Sequence, residues 1–314
     1  MEIDEAEEAE LVSATVADLV VALRAVEQDA KRAGSRVFTT TSPNWWMGDR
    51  TFGGMVIAQS LSAAVQAAPP GFEIHSLHGY FLRPVPPGSA STHVVTSVRD
   101  GRSFGTREVL SSTDGKETFR MTCSFHAPEL GDEYQLPMAS GVPLPSEIEG
   151  VEAPFPYDIR ELGHTQQRED GTYLSTRRCW FRTREQLPDD PAVHACALAY
   201  FSDMTGASFR PGSIGNWGTH TDASLDHALW FHRPWRADRW TFFDIQTLVN
   251  TGGRATIRAT MHGEDGNLHT SMAQELLIRR LEVPLVFDPP PWVARVHGVG
   301  DEGNGEGGPD RGTA

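Results

Sequence analysis

The sequence predicts an α+β chain made of two copies of one unit, each an antiparallel sheet wrapped around one long central helix. The first observation is a repeat. His78-Gly79-Tyr80-Phe81-Leu82-Arg83-Pro84 returns as Ala228-Leu229-Trp230-Phe231-His232-Arg233-Pro234 at an offset of 150. Asp114-Gly115 returns as Asp265-Gly266, and residues 120–125 line up with 271–276, both at an offset of 151. A near-constant offset across separate signals marks a duplicated unit. The second observation is the order of elements. Each half has one apolar helical run followed by β-rich segments that are joined by turn dipeptides. A parallel sheet needs a helix between successive strands, so these sheets are antiparallel and must wrap on the single helix.

Residues 1–34 read as an acidic tail and an N-terminal helix. Val16 to Gln28 places Leu19, Val20, Leu23 and Val26 on one face. Residues 35–135 form the first unit. Its helix opens at Gly53-Gly54, runs to Ala68 and stops at Pro69-Pro70. It is apolar or small on nearly every face and should be buried. The stretch 136–172, rich in Pro, Gly and Glu, reads as a linker. Residues 173–287 form the second unit, where Asp190 and Pro191 supply an N-cap and an N1 proline for Ala192 to Phe201, with Gly206 as the stop. Each unit is expected to run strand, helix, then four strands. Asp100-Gly101, Asp114-Gly115, Gly252-Gly253 and Asp265-Gly266 supply hairpin turns. Residues 288–314 are a Pro/Gly-rich tail whose end has almost nothing to bury and is expected to be disordered.

Composition narrows the function classes. A net charge of −15 disfavours nucleic acid, which requires a basic face. Cys123, Cys179 and Cys196 are widely spaced, which argues against a disulfide framework and against a zinc site. No stretch approaches the ~20 apolar residues of a membrane span. The acidic start is the opposite of a basic signal-peptide leader. These features point to a cytoplasmic protein without metal or cofactor. An acidic ligand would require local arginines, such as Arg83, Arg99, Arg102 or Arg107, gathered at a pocket mouth.

Five clusters carry a family resemblance. Phe52-Gly53-Gly54-Met55-Val56-Ile57-Ala58-Gln59, His75-Ser76-Leu77-His78 with Tyr80-Phe81-Leu82-Arg83-Pro84, and Arg99-Asp100-Gly101-Arg102-Ser103-Phe104 resemble the first half of a double-hotdog acyl-CoA thioesterase of the TesB (thioesterase II) type. Ala223-Ser224-Leu225-Asp226-His227-Ala228-Leu229-Trp230-Phe231-His232-Arg233 and Gln274-Glu275 with Ile278-Arg279 resemble its second half. The resemblance covers roughly residues 37–282 and implies two fused hotdog units that hydrolyse acyl-CoA to free acid and CoA. It also implies a site of an Asp, a Thr or Ser, and a Gln holding a water, which fall here on Asp203, Ser224 and Gln274. Leu276 and Ala255 stand where the family usually has Gly, beside strands that line the site.

Read without the resemblance, these positions remain open. Gln274 alternates onto the same face as Met272, Leu276 and Ile278, where an unpaired amide costs ~1–3 kcal/mol. It either caps a nearby backbone group or serves a site. Its counterpart in the first unit is Cys123, which needs no such partner. Asp203 sits in the last turn of an apolar helix, where a carboxylate is disfavoured by about 0.3–1 kcal/mol. It is either a base and water-holder or a solvent-facing end turn. Pattern alone does not single out Ser224, because Asp226 and His227 compete beside it.

Other signals point elsewhere. Gly101-Arg102-Ser103-Phe104-Gly105 spells a nucleophile elbow, but β-type runs flank it on both sides, so Ser103 reads as a hairpin residue. Gly53-Gly54 at a helix start exposes N–H groups able to polarise a thioester carbonyl. Pairing two units removes the open sheet edge of each, and further assembly into a homo-oligomer is expected. A non-catalytic acyl-CoA-binding protein on the same fold is the alternative to an enzyme.

Overall fold

The duplication folds into one continuous antiparallel sheet. The computed structural model describes residues 14–32, 34–45, 50–153, 155–167, 173–205 and 220–282. The first unit comprises α1 (Val16–Leu23), β1 (Val26–Arg32), β2 (Ser35–Thr41), α2 (Gly53–Gln66), β3 (Glu73–Phe81), β4 (Ala90–Asp100), β5 (Phe104–Thr113) and β6 (Lys116–His126). The second comprises β7 (Tyr157–Gln167), β8 (Tyr173–Thr183), α3 (Pro191–Ser202), β9 (His220–Ser224), β10 (Asp226–Phe231), β11 (Thr241–Thr251), β12 (Arg254–Gly263) and β13 (Leu268–Arg280).

The strand order is β1-β2-β4-β5-β6-β3-β10-β13-β12-β11-β8-β7, with β9 also on β13. The first six strands are mirrored in order by the last six about the β3–β10 seam. There Leu77 faces Leu229 and Ala228 faces His78, so the two halves share one sheet with no open edge between them. This is the double hotdog fold. The first copy of the duplicated Asp-Gly follows its expected chemistry: Asp114 (φ 50°) and Gly115 (φ 74°) form the two-residue turn between β5 and β6. The second, Asp265-Gly266, lies instead in the four-residue loop 264–267, with positive φ at Gly266 (77°) but not at Asp265.

Residues 54–64 of α2 are all buried, as a helix without a polar stripe requires. Its neighbour is α3, and Gly54 sets their closeness. A Cβ at Gly54 would stand 2.1 Å from the Tyr200 carbonyl oxygen, so only glycine lets the helices meet there. Phe52 meets Tyr200 edge-on, and Phe201 of α3 stacks on Phe181 of β8 at 3.7 Å.

Three expectations need correction. The helix expected over Val16 to Gln28 ends at Leu23. Arg24 is extended, and Val26 joins β1 opposite Thr39, because sheet pairing satisfies the backbone groups that further helix would have used. The stretch 136–172, expected as a linker, contains β7, whose buried Tyr157 and Ile159 alternate with Asp158 and Arg160 and which pairs with β8. Each unit therefore begins with two strands, and the first strand after α3 is split into β9 and β10. Gly206 and residues 283–314 lie outside the described residues. No helix among the described residues is long and apolar enough to cross a membrane.

The split between β9 and β10 is a bulge. Leu276 pairs with Ser224 while Ala273 pairs with Ala228, a one-residue register shift at Leu225. The Asp226 carboxylate accepts from the Glu275 N–H at 2.7 Å and closes the gap. The first unit has a matching shift between Ile74 and Ser76. Bulges re-aim neighbouring side chains, and this one presents Ser224.

Candidate active site

Asp203, Ser224 and Gln274 converge at one point between the two units. Asp203 is the C-cap of α3 and only 8% exposed, which excludes a solvent-facing end turn. The Gln274 amide Nε2 donates to Asp203 Oδ1 at 2.5 Å and to Ser224 Oγ at 2.8 Å. Ser224 Oγ donates to Asp203 Oδ1 at 3.1 Å. Gln274 is buried and Ser224 half-buried, so Ser224 marks the open side of the cluster. The burial of Gln274 follows the alternation of β13, but its partners are side chains of the cluster rather than a neighbouring backbone group.

The electrostatic oddity of Asp203 has a structural answer in the other unit. Helix α2 has no capping side chain of its own. The Gly54 N–H at its start hydrogen-bonds to the Asp203 carboxylate, and a Cβ on Gly53 would come 2.5 Å from Asp203 Oδ2. Asp203 thus stands at the negative end of its own helix and at the positive end of its neighbour's, where an anion is favoured. The Gly54 N–H, expected to face a thioester carbonyl, serves this carboxylate instead.

Burial is the largest influence on Asp203 and pushes its carboxyl up to about 7. Hydrogen bonds from Gln274, Ser224 and the Gly54 N–H oppose the rise, and the nearby Asp222 charge adds to it. Beside it, His227 Nδ1 lies 3.8 Å from Asp203 Oδ1. His227 is fully buried, and its conjugate acid is driven down to about 3, again chiefly by burial. Ser202 Oγ donates to the Ala199 carbonyl at 2.8 Å, which leaves it to accept from His227 Nε2 at 2.8 Å. That bond fixes the tautomer with the proton on Nε2 and the lone pair of Nδ1 turned to Asp203.

Sequence reasoning missed Thr205, whose hydroxyl donates to Gln274 Oε1 at 3.0 Å. Because Oε1 is thereby an acceptor, Nε2 must face Asp203 and Ser224. It named His227 only as a competitor beside Ser224. The glycine pair at the head of an uncapped helix was the one sequence signal for the trans contact to Asp203. Two other readings end here. Ser103 lies in the turn between β4 and β5 with no helix after it, so it is not a nucleophile elbow. Arg107 is buried and spends its guanidinium on the Ala67 and Thr106 carbonyls and on Asp100, so it cannot line a pocket mouth.

A buried carboxylate and amide and a half-buried hydroxyl thus meet where the helices of the double hotdog come together. Comparisons with known proteins give the family. The acyl-CoA thioesterase N-terminal domain matches residues 42–126, and the acyl-CoA thioesterase C-terminal domain matches residues 128–278. The chain is 32% identical over 253 residues to acyl-CoA thioesterase 2 of Haemophilus influenzae, covering 73% of this chain and 88% of that one. It is 28% identical to human acyl-coenzyme A thioesterase 8 over 264 residues, covering 75% and 82%. The crystal structure of acyl-CoA thioesterase II TesB2 from Mycobacterium marinum superposes with a TM-score of 0.72 at 33% identity, over 84% of this chain and 99% of that one. The chain belongs to the acyl-CoA thioesterase family.

Proposed function

We propose that this enzyme hydrolyses acyl-CoA by direct attack of a water held by Asp203, Ser224 and Gln274, with Asp203 as the general base. The observation that carries the reading is the convergence of Gln274, Ser224 and the Gly54 N–H on the buried Asp203 carboxylate. A histidine beside a carboxylate is the usual base. Here burial lowers His227 to about 3 and raises Asp203 to about 7, so the carboxylate is the group poised to take a proton near neutral pH. Its negative charge is shared with three donors, the Gln274 amide, the Ser224 hydroxyl and the Gly54 N–H.

In the step, the water oxygen bonds to the thioester carbonyl carbon while its proton passes to Asp203. The tetrahedral adduct collapses with cleavage of the C–S bond, and the CoA thiolate leaves and takes up the proton. A thiol with a pKa near ~8.5 leaves readily, so no strong protein acid is required. Ser224 and Gln274 orient the water, and no acyl-enzyme forms. Half-buried Ser224 gives the side from which water and carbonyl enter.

Thiol release measured across acyl chain lengths tests the reading. Wild-type enzyme should release CoA linearly from the first turnover. A burst of CoA equal to the enzyme concentration would indicate a covalent intermediate and overturn the mechanism. A shift in melting temperature with acyl-CoA and no thiol release would identify a binding protein instead.

A further inference from the structure

The duplication contains one device whose two copies have diverged. In the first unit, Arg36 of β2 donates to the Gln66 carbonyl at the end of α2 and pairs with Glu27 of β1 at 2.6 and 2.7 Å. In the second, Arg177 of β8 donates to the Met204 carbonyl just past the end of α3 and pairs with Glu161 of β7, with Nε reaching Oε2 at 3.3 Å. The parts and their order are the same: a carboxylate on the first strand, a guanidinium on the second, a carbonyl at the helix C-terminus. The surroundings are not. The side chains of Arg36 and Glu27 are 43% and 46% exposed, while those of Arg177 and Glu161 are 1% and 8% exposed.

A surface ion pair of this kind contributes about 0–1 kcal/mol. A buried one requires desolvating both ions and is often no better than apolar packing, so stability alone is a weak reason to bury it. Its position supplies a stronger one. The carbonyl it holds belongs to Met204, flanked by Asp203, the proposed base, and Thr205, which orients Gln274. A guanidinium fork can grip a carboxylate and a carbonyl at once in a fixed plane, which a flexible ammonium does less well.

We propose that Arg177, anchored by Glu161, is a positioning residue for the reaction: through the Met204 carbonyl it fixes the Asp203–Thr205 turn against Gln274. This rests on the reading of Asp203 as the base. Arg177 touches neither substrate nor the water. It faces Glu161, Cys179 and the Met204 carbonyl, while Asp203 faces Asp222, His227, Tyr200, Ser224, Gln274 and the Gly54 N–H.

The first-unit copy is a built-in control. The paired variants Arg177→Met/Glu161→Gln and Arg36→Met/Glu27→Gln each remove one device without leaving a lone charge. Assayed well below their melting temperatures, the second-unit pair should lose about 10–100-fold in kcat with KM little changed, because misplacement by an ångström has that effect. The first-unit pair should stay within about twofold of wild type. The acid limb of the pH–rate profile should fall below 7 only in the second-unit pair, as the loosened turn lets water reach Asp203. If that pair does not fold, Arg177→Lys, which keeps the charge, should show a smaller loss of kcat and the same shift of the limb. Wild-type kcat and pH profile in the second-unit pair or in Arg177→Lys, or equal losses in both paired variants, would overturn the proposal. Asp203→Asn separates the two readings: if it stays active the base assignment is wrong, whereas an inactive Asp203→Asn beside an unaffected clamp variant rejects the clamp alone.

Discussion

The two repeats share strand order, the bulge beside the seam, an Asp-Gly dipeptide and the arginine clamp, yet among the described residues the Asp203–Ser224–Gln274 cluster of the second unit has no copy in the first. At the offset of 151, Gln274 of β13 corresponds to Cys123 of β6, a buried thiol that donates to the Arg107 carbonyl at 3.7 Å. On β3, where the offset is 150, Ser224 corresponds to Ile74, a half-buried apolar residue beside the matching bulge. The helix end that carries Asp203 corresponds to the region of Val65. The helix starts differ too. Asp190 Oδ1 accepts from the Ala192 N–H at 2.9 Å and caps α3 from within, whereas α2 opens on Phe52-Gly53-Gly54 with no side-chain cap. Asp203 reaches that uncapped start, while the start of α3 is held by its own Asp190. Duplication supplies the scaffold, and in the reading proposed above a few asymmetric residues at one junction of the helices supply the chemistry.

Making the second unit resemble the first should abolish activity by degrees. Asp203→Asn removes the base and should lower kcat by about 10²–10⁴-fold with KM little changed, read by thiol release. Gln274→Cys copies the first-unit residue and deletes two hydrogen bonds to the cluster. It should lower kcat by about 10–10²-fold while circular dichroism stays native. Gly53→Ala places a methyl group against Asp203 Oδ2 and the Phe81 ring, at 2.5 and 3.2 Å, and should reduce kcat about tenfold without altering the other repeat.

The reverse exchange sharpens the comparison through stability. Cys123→Gln buries an amide among apolar side chains with no carboxylate or hydroxyl to receive it. The loss should be ~1–3 kcal/mol in denaturant unfolding, with no second active site gained. Asp203 also makes stability depend on pH. Its folded pKa lies above its ordinary value, so the native state binds the extra proton. The stabilisation it gives is complete below about 4 and is lost as pH rises through about 7. Above that, Asp203→Asn should be more stable than wild type by about 1–3 kcal/mol, and the gap should close on acidification.

Much of this was legible before the structure. The repeat offset and the Asp-Gly turns gave the two-unit sheet, and the all-round apolar pattern from Gly53 gave the buried helix. Gln274 and Asp203 stood out as polar groups in apolar company. Strand β7 was hidden because it follows a Pro- and Glu-rich stretch, although Tyr157 and Ile159 alternate correctly. The N-terminal helix was read too long because Val26 keeps helical spacing while its backbone is claimed by β2. Thr205 and His227 could not be assigned from one sequence, since their roles depend on contacts across 69 residues to Gln274 and 25 residues to Ser202. The cap that Asp203 places on α2 lies across the two units, and no local pattern encodes it.

The central claim is that Asp203, raised by burial beneath the α2 N-terminus, is the general base. The pH dependence of kcat/KM for acyl-CoA hydrolysis tests it most directly. The account predicts a single acid limb near pH 7 in the wild type, with activity rising as Asp203 ionises. The residual activity of Asp203→Asn should lack that limb. An unchanged limb near 7 in Asp203→Asn would assign the ionisation to another group and contradict the account.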